Sequence, residues 1–481
     1  MTAIVDFLNS ILWGYVLIYG LLAVGLFFTW RTGALQFRHF AEFFRVIRAS
    51  RETDASGITP FQALTISLAS RVGTGNLAGV AVAIYLGGPG AIFWMWMVAL
   101  VGMATAYAES TLAQLYKVRN AEGQYRGGPA FYMHKGIGSR AMGMVFSICL
   151  ILSFGLIFSA VQANSISTSM ESAFGVPPIA TGLVIAAAAG IVIFGGIRSI
   201  AAVAEKVVPL MASAYILVAL YVVITHLNEV PGMLMLIIES AFGFEQAAGG
   251  FTGGIMAALL NGVKRGLFSN EAGMGSAPNI AAVAVPHPHH PSSQGMVQGL
   301  GVFIDTLVLC TATALMILLS GAVDYGPDGA TGMVLTQNAL YEHIGGAGPA
   351  FVAIAILLFA FTSIIGNYSY AENAMEFLGL GGHIPLLLLK AGAVAMVVWG
   401  SLQAVGTVFN FADASMALMA TVNLVAILML SGTVTKLTRD YFAQRKSGKE
   451  AVFHIADYPE ISDGVDHTIW DRDAVPSARA D

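Results

Sequence analysis

Apolar positions along the chain gather into eleven runs, near residues 8–30, 60–86, 90–115, 141–172, 179–197, 205–226, 251–285, 293–320, 349–378, 384–403 and 406–435. About 20 apolar residues in a helix cross a hydrocarbon core of roughly 30 Å, so each run predicts a spanning helix. Two runs carry polar residues at their midpoints. In one, Ser70-Arg71-Val72-Gly73-Thr74-Gly75-Asn76 interrupts the segment from Phe61 to Leu86. In the other, Lys264-Arg265-Gly266-Leu267-Phe268-Ser269-Asn270-Glu271-Ala272-Gly273-Met274-Gly275-Ser276-Ala277-Pro278 adds ionisable groups. Irregular backbone at membrane depth is tolerated only where it packs in protein or lines a cavity. Both runs therefore predict helices broken at mid-span around something bound.

Composition agrees with a polytopic membrane protein. Of 481 residues, 56% are hydrophobic and 11% charged, against about 25% charged in soluble domains. The 54 glycines suit close helix crossings. The net charge of -5 is less informative than where the charges fall. Lys and Arg cluster in the links after the first, third and fifth runs and in the tail, whereas 173–178, 227–250 and 321–348 contain none. By the positive-inside rule this puts the N-terminus outside and the C-terminus in the cytoplasm. Phe7 to Trp30 is expected to be a retained span, since no basic leader or cleavage site precedes it. The polar tail, 441–481, is expected to be a mobile cytoplasmic appendage. Cys149 and Cys310 read as buried small hydrophobes. The run Pro286-His287-Pro288-His289-His290-Pro291 has no carboxylate or cysteine nearby and is not expected to hold a metal.

The breaks lie about 200 residues apart. With the first run set aside, ten remain, and each break falls in the first helix of a group of five. Odd-numbered groups enter the membrane from opposite sides, as in inverted-repeat secondary transporters. A break exposes amide N–H groups at one half-helix start and carbonyls at the other half-helix end. A zwitterion suits it. Its carboxylate would sit on the half-helices beginning near Gly75 and Gly275. Its ammonium would meet carbonyls near Phe268 and Ser269. Carbonyls freed around Ala69 and Val72 would suit sodium.

The segment Gly87-Gly88-Pro89-Gly90-Ala91-Ile92-Phe93-Trp94-Met95-Trp96-Met97, closing at Gly102, resembles the signature of the alanine/glycine:cation symporters. Val72-Gly73-Thr74-Gly75-Asn76, Gly127-Gly128-Pro129 and Ser269-Asn270-Glu271-Ala272-Gly273-Met274-Gly275 match the same family, over about residues 10 to 440. The resemblance implies an all-α polytopic protein of the amino acid–polyamine–organocation superfamily. That is a leucine-transporter-like fold of five-plus-five inverted repeats, here 60–226 and 251–438, behind an extra N-terminal helix and link in 1–59. It implies import of alanine or glycine with sodium, or in some members protons, by alternating access. The setting would be a bacterial inner membrane, the unit a monomer, with no nucleic acid partner and no cofactor beyond the coupling ion.

Site residues follow from the same resemblance. Thr74 and Gly75 match positions whose N–H groups meet the substrate carboxylate. Gln162 matches a glutamine facing substrate, with Phe158 and Ile166 one turn either side. Gly73, Asn76, Phe268, Asn270, Gly273, Met274, Gly275 and Asn367 complete the implied substrate site. The carbonyls of Ala69 and Val72, with Thr362 and Ser363, match a sodium site. Asn367 stands where family members often carry tryptophan, which leaves open the preference among glycine, alanine and larger side chains.

Ionisable residues inside spans are expensive unless paired or wetted. Glu271 is expected to pair with Lys264, Arg265 or Arg71, the functional alternative being gating or ion coupling. Glu109 is expected to pair with a nearby base. Asn76 would either ligate an ion or cap the half-helix beside it. The competing classes are an intramembrane protease using Ser276, which lacks an evident histidine partner within a span, and an ion channel.

Overall fold

A computed structural model describes residues 2–49, 57–243 and 251–471. Eight helices among them are long and apolar enough to span a bilayer. In chain order the helices that matter are α1 (Ile4–Arg31), α2 (Phe40–Ala49), α3 (Pro60–Arg71), α4 (Gly75–Gly87) and α5 (Gly90–Leu115). There follow α6 (Pro129–Lys135), α7 (Arg140–Phe174), α8 (Pro178–Phe194), α9 (Gly196–Thr225), α10 (Val230–Ala241) and α11 (Phe251–Asn270). The last are α12 (Pro278–Val283), α13 (Pro291–Ser320), α14 (Gly332–Ile344), α15 (Ala347–Phe377), α16 (His383–Ser401), α17 (Val405–Met429) and α18 (Ser431–Lys446).

The bundle is arranged as a bilayer requires. Ile191, Leu210, Leu217, Ile224, Ile384 and Leu388 point outward, exposed. Glu109, Glu271, Asp305, Arg71 and Asn76 lie fully inside. Close crossings use small residues: a Cβ on Gly400 of α16 would overlap the backbone of Ala160 on α7.

Both interruptions predicted from sequence are breaks in the helices. Thr59 starts α3 with a capping box to Gln62, and Pro60 takes the first helical position. The helix stops at Arg71, Val72 turns extended (φ −76°, ψ 95°), and winding resumes at Gly75. α11 stops at Asn270; Glu271 (φ 58°), Gly273 (φ 86°) and Gly275 (φ 82°) then adopt left-handed backbone before α12. Glu271 is the costly member, because a side chain at positive φ is strained. Its two carboxylate oxygens are each held by a serine, as described below.

Two expectations change. The links 227–250 and 321–348 contain helices, α10 and α14, each too short to span. α10 is apolar and buries Ile237 and Ala241. The tail, expected to be mobile, is packed as far as Asp471: Phe453, Ile455, Ile469 and Trp470 are buried. Its polar composition hides seven buried apolar residues after α18, since Ala451, Ile461 and Val465 are buried as well.

Candidate functional site

The break between α3 and α4 is wrapped by side chains from α7, α13 and α15. Thr74 donates twice, from its amide N–H (3.0 Å) and its hydroxyl (2.8 Å), to Oε1 of Gln162 on α7. Gly73 N–H donates to Oδ1 of Asn76 at 3.0 Å. A Cβ at Gly73 would overlap Ser363 Oγ and Gln162 Oε1, so glycine is required by contact there. Each released N–H thus meets an amide carbonyl oxygen, the acceptor chemistry of a carboxylate.

The carbonyl side of the break meets α15. Ser363 Oγ lies 2.8 Å from Ala69 O, 3.4 Å from Val72 O and 3.1 Å from Phe359 O. One hydroxyl proton serves one of these acceptors at a time. Thr362, the next residue, donates to Phe359 O at 2.9 Å. Ala69, Val72, Thr362 and Ser363 are all buried. Neutral oxygens converging from two helices are the donor set of a hard monovalent cation, and the residues present fit one.

The second break touches the first. A Cβ on Gly75 would lie 2.9 Å from Ser269 Cα and 3.3 Å from the Phe268 ring. Phe268 stacks on Phe158 (ring centroids 4.9 Å) and tilts against Phe409 (5.4 Å). Above this slab Arg265 lies over Phe409 (4.9 Å) and bonds Asp413 of α17 at 2.5 Å. Lys264 approaches the same carboxylate at 3.7 Å.

Asp305, on α13, bonds to both breaks. It accepts from Asn76 Nδ2 (2.8 Å), Ser269 Oγ (2.8 Å) and Thr306 Oγ1 (2.7 Å). Glu271 also spans them, accepting from Ser70 Oγ (2.8 Å) on α3 and Ser276 Oγ (2.5 Å). Its expected salt bridge is corrected: Lys264 and Arg265 pair with Asp413, and Arg71 bonds the carbonyl of Gln298. Glu109 likewise finds no base within ion-pair distance among the described residues. It accepts from Gly273 N–H (3.2 Å) and Asn423 Nδ2 (2.7 Å) instead.

The sequence-predicted residues fall into groups. Gly73, Thr74, Asn76, Gln162, Ala69, Val72 and Ser363 meet at the first break, and Gly75, Phe268 and Phe158 adjoin it. Asn76 braces the turn before α4, where its oxygen accepts from Gly73 N–H and its nitrogen donates to Asp305. Asn367 Oδ1 lies 2.6 Å from Ser70 Oγ and shares with Glu271 that hydroxyl's one proton, which serves one of the two at a time. Asn270 closes a local turn onto Ala272 N–H at 3.0 Å. Gly273 packs against Leu424 and Thr105, and Gly275 against Phe146 and Asn423. Met274 and Ile166 are buried. Asp305 and Asp413 escape a reading centred on the breaks, although each is a lone acidic residue in an apolar run, a signal available from sequence.

A bundle apolar outside, polar inside and built around two touching helix breaks is the architecture of a membrane transporter. A model of the sodium:alanine symporter family matches residues 1–455. The chain is 48% identical over 459 residues to "Amino-acid carrier protein AlsT" of Bacillus subtilis (strain 168), covering 95% of this chain and 96% of the relative. It is 48% identical over 454 residues to "Probable sodium/glutamine symporter GlnT" of the same organism, covering 94% and 93%. It is 37% identical over 454 residues to "Sodium/alanine symporter AgcS" of Methanococcus maripaludis, covering 92% and 98%. The chain belongs to the sodium:alanine symporter family. It is a multi-pass amino acid transporter and not an enzyme.

Proposed function

We propose that this protein imports alanine or glycine together with sodium by alternating access across a bacterial inner membrane. The observation that carries the reading is the contact of Gly75 with Phe268 and Ser269, which joins the two breaks into one site. Thr74, Gly73 and Gly75 offer their amides to the substrate carboxylate, and Gln162 yields its position on Thr74 as the ligand arrives. Phe158, Phe268 and Phe409 close over the small side chain, and Arg265 with Asp413 seals that layer. Sodium takes Ala69 O, Val72 O, Ser363 Oγ and Thr362 Oγ1. Asp305 is a second ion-coupling group, because its carboxylate is bonded to both breaks at once.

Supporting a five-plus-five inverted repeat, α3–α4, α5, α7, α8 and α9 match α11–α12, α13, α15, α16 and α17 in order, each set opening on a broken helix. We assign the Lys- and Arg-rich links to the cytoplasm. One charge entering through 100 mV gains about 2.3 kcal/mol, which supports roughly 50-fold accumulation of a neutral zwitterion.

Equilibrium binding of labelled glycine, L-alanine, D-alanine and glutamine, with and without sodium, tests the reading. Glutamine belongs in the set because GlnT is as similar as AlsT and because Asn367 replaces a bulkier residue. Sodium-dependent binding of a small amino acid is expected. Sodium-independent binding, or conductance without saturable counterflow, would overturn the symport mechanism.

A further inference from the structure

The tail makes contacts that the transport reading does not use. Residues 449–471 leave α18 and run across the end of the molecule that gathers the basic links. α18 itself anchors there, through Tyr441 Oη and Arg445 Nε to Glu42 of α2 (2.9 and 3.0 Å). Val452 is tied to Gln444 of α18 by two hydrogen bonds (2.9 and 3.0 Å). Phe453 N–H then donates to His289 O at 2.9 Å. Trp470 is fully buried: its indole N–H donates to Leu115 O, at the end of α5, at 3.1 Å. His289 is held on its other side by Ile469 O (3.2 Å) and lies 4.9 Å from the Trp470 ring.

What this grips is the six-residue half-helix α12 and the turn behind it. Ala284 follows α12 directly, and its carbonyl accepts from Gln114 Nε2 (2.9 Å) and Lys117 Nζ (3.0 Å) of the α5 end. The neighbouring Val283 and Val285 exchange backbone bonds with Ile58, just before α3 (3.3 and 2.9 Å). The half-helices leading to both breaks are therefore joined at this end, and α12 is wholly buried. For α12 to swing away from α3, the turn 284–290 must leave Ile58 and Lys117. The tail holds that turn from outside at His289.

We propose that segment 449–471 is a clasp that keeps this end of the transporter closed and must release His289 and Leu115 before α12 can move. The proposal rests on alternating access for its purpose but not for its test. The segment's buried residues join the main apolar core at that end of the molecule, so it is held by packing and a few specific hydrogen bonds with no covalent tie, and can open as a local unit.

The test uses full-length protein in proteoliposomes with Cys149→Ala as background. The thiol introduced by Val283→Cys reports access to α12 through a membrane-impermeant maleimide. Trp470→Ala, and separately a chain ending at Gly448, are expected to label about tenfold faster or more, the scale of losing a buried indole and its hydrogen bond. Trp470→Phe keeps a smaller aromatic ring while losing the bond to Leu115, and is expected to fall between. Unchanged labelling in Trp470→Ala, with an unchanged thermal midpoint, would overturn the clasp even if the shortened chain fails to fold. Faster labelling without alanine counterflow in any variant would uphold the clasp and refute the transport reading.

Discussion

Gly73→Ala is the sharpest perturbation available, because one methyl group reaches two parts of the proposed mechanism. Its Cβ would meet Ser363 Oγ and Gln162 Oε1 closer than any van der Waals contact allows. Ser363 is the hydroxyl shared between Ala69 O and Val72 O, and Gln162 is the acceptor for Thr74. Ser363 is short and held among three carbonyls, so the methyl pushes it off them, whereas Gln162 can swing aside only by giving up its two hydrogen bonds from Thr74. Overpacking of this kind costs about 1–3 kcal/mol, which predicts a fall in alanine affinity of roughly 5- to 150-fold and a rise in the sodium needed for half-maximal binding. Gly79→Ala is the control: it lies three residues beyond Asn76 in the same half-helix, and its Cβ would meet only Thr74 O at 3.6 Å. Equilibrium binding across a sodium titration measures both quantities. Equal affinities and equal sodium dependence in the two variants would refute the placement of substrate and ion around Gly73.

Thr362→Val with Ser363→Ala removes the Ser363 hydroxyl that faces the break and the neighbouring hydroxyl proposed to join it, and we expect the half-saturating sodium concentration to rise by about tenfold or more, read from the same titration. Asp305→Asn keeps an acceptor for Ser269 and Thr306 but deletes a buried charge; the charge moved per substrate, measured from reversal potentials, is expected to fall. Arg265→Gln strands Asp413 with only the longer Lys264 contact, so the melting temperature should drop by an amount equivalent to up to about 3–5 kcal/mol, with partial recovery in Arg265→Gln/Asp413→Asn. The tail should respond to acid. Burial and the nearby Lys117, His454 and His290 push His289 from 6.5 down to about 4, and burial lowers His290 against the opposing pull of Asp440. Bonds from His290, Tyr458 and Gln444 outweigh partial burial and lower Asp440. All three shifts favour the docked tail at neutral pH, so docking is complete above about 6.5 and weakens as pH falls toward 4. Trp470 fluorescence that stays constant over that range would refute this.

Both helix breaks were legible because glycine, threonine and asparagine at mid-span have no lipid-facing use. The hydroxyl pair and Gln162 became legible only through family resemblance, since a single serine or glutamine in a helix carries no spacing signal. What sequence could not assign was partnership. Lys264, Arg265 and Glu271 are neighbours along the chain, yet the turn of α11 sends the bases to Asp413 and the left-handed backbone at Glu271 sends its carboxylate to Ser70 and Ser276. Glu109 was placed inside a span correctly, but its partners are amides contributed from 164 and 314 residues away. The tail misled for a different reason: Phe453, Ile469 and Trp470 are too sparse to register as an apolar run, although Phe453 and Trp470 pack on each other and on the turn at His289 and His290.

The two hydrogen bonds from Thr74 to Gln162 have a consequence for binding strength. In the proposed binding mode an amide oxygen of the protein already occupies the position on Thr74 that the substrate carboxylate would take, so the two would compete. Net stabilisation per exchanged hydrogen bond is then the small difference between a charged and a neutral acceptor, rather than the full value of a new contact. Under the proposed alternating access, such an exchange would favour ready release of cargo on the far side, trading tight capture for turnover.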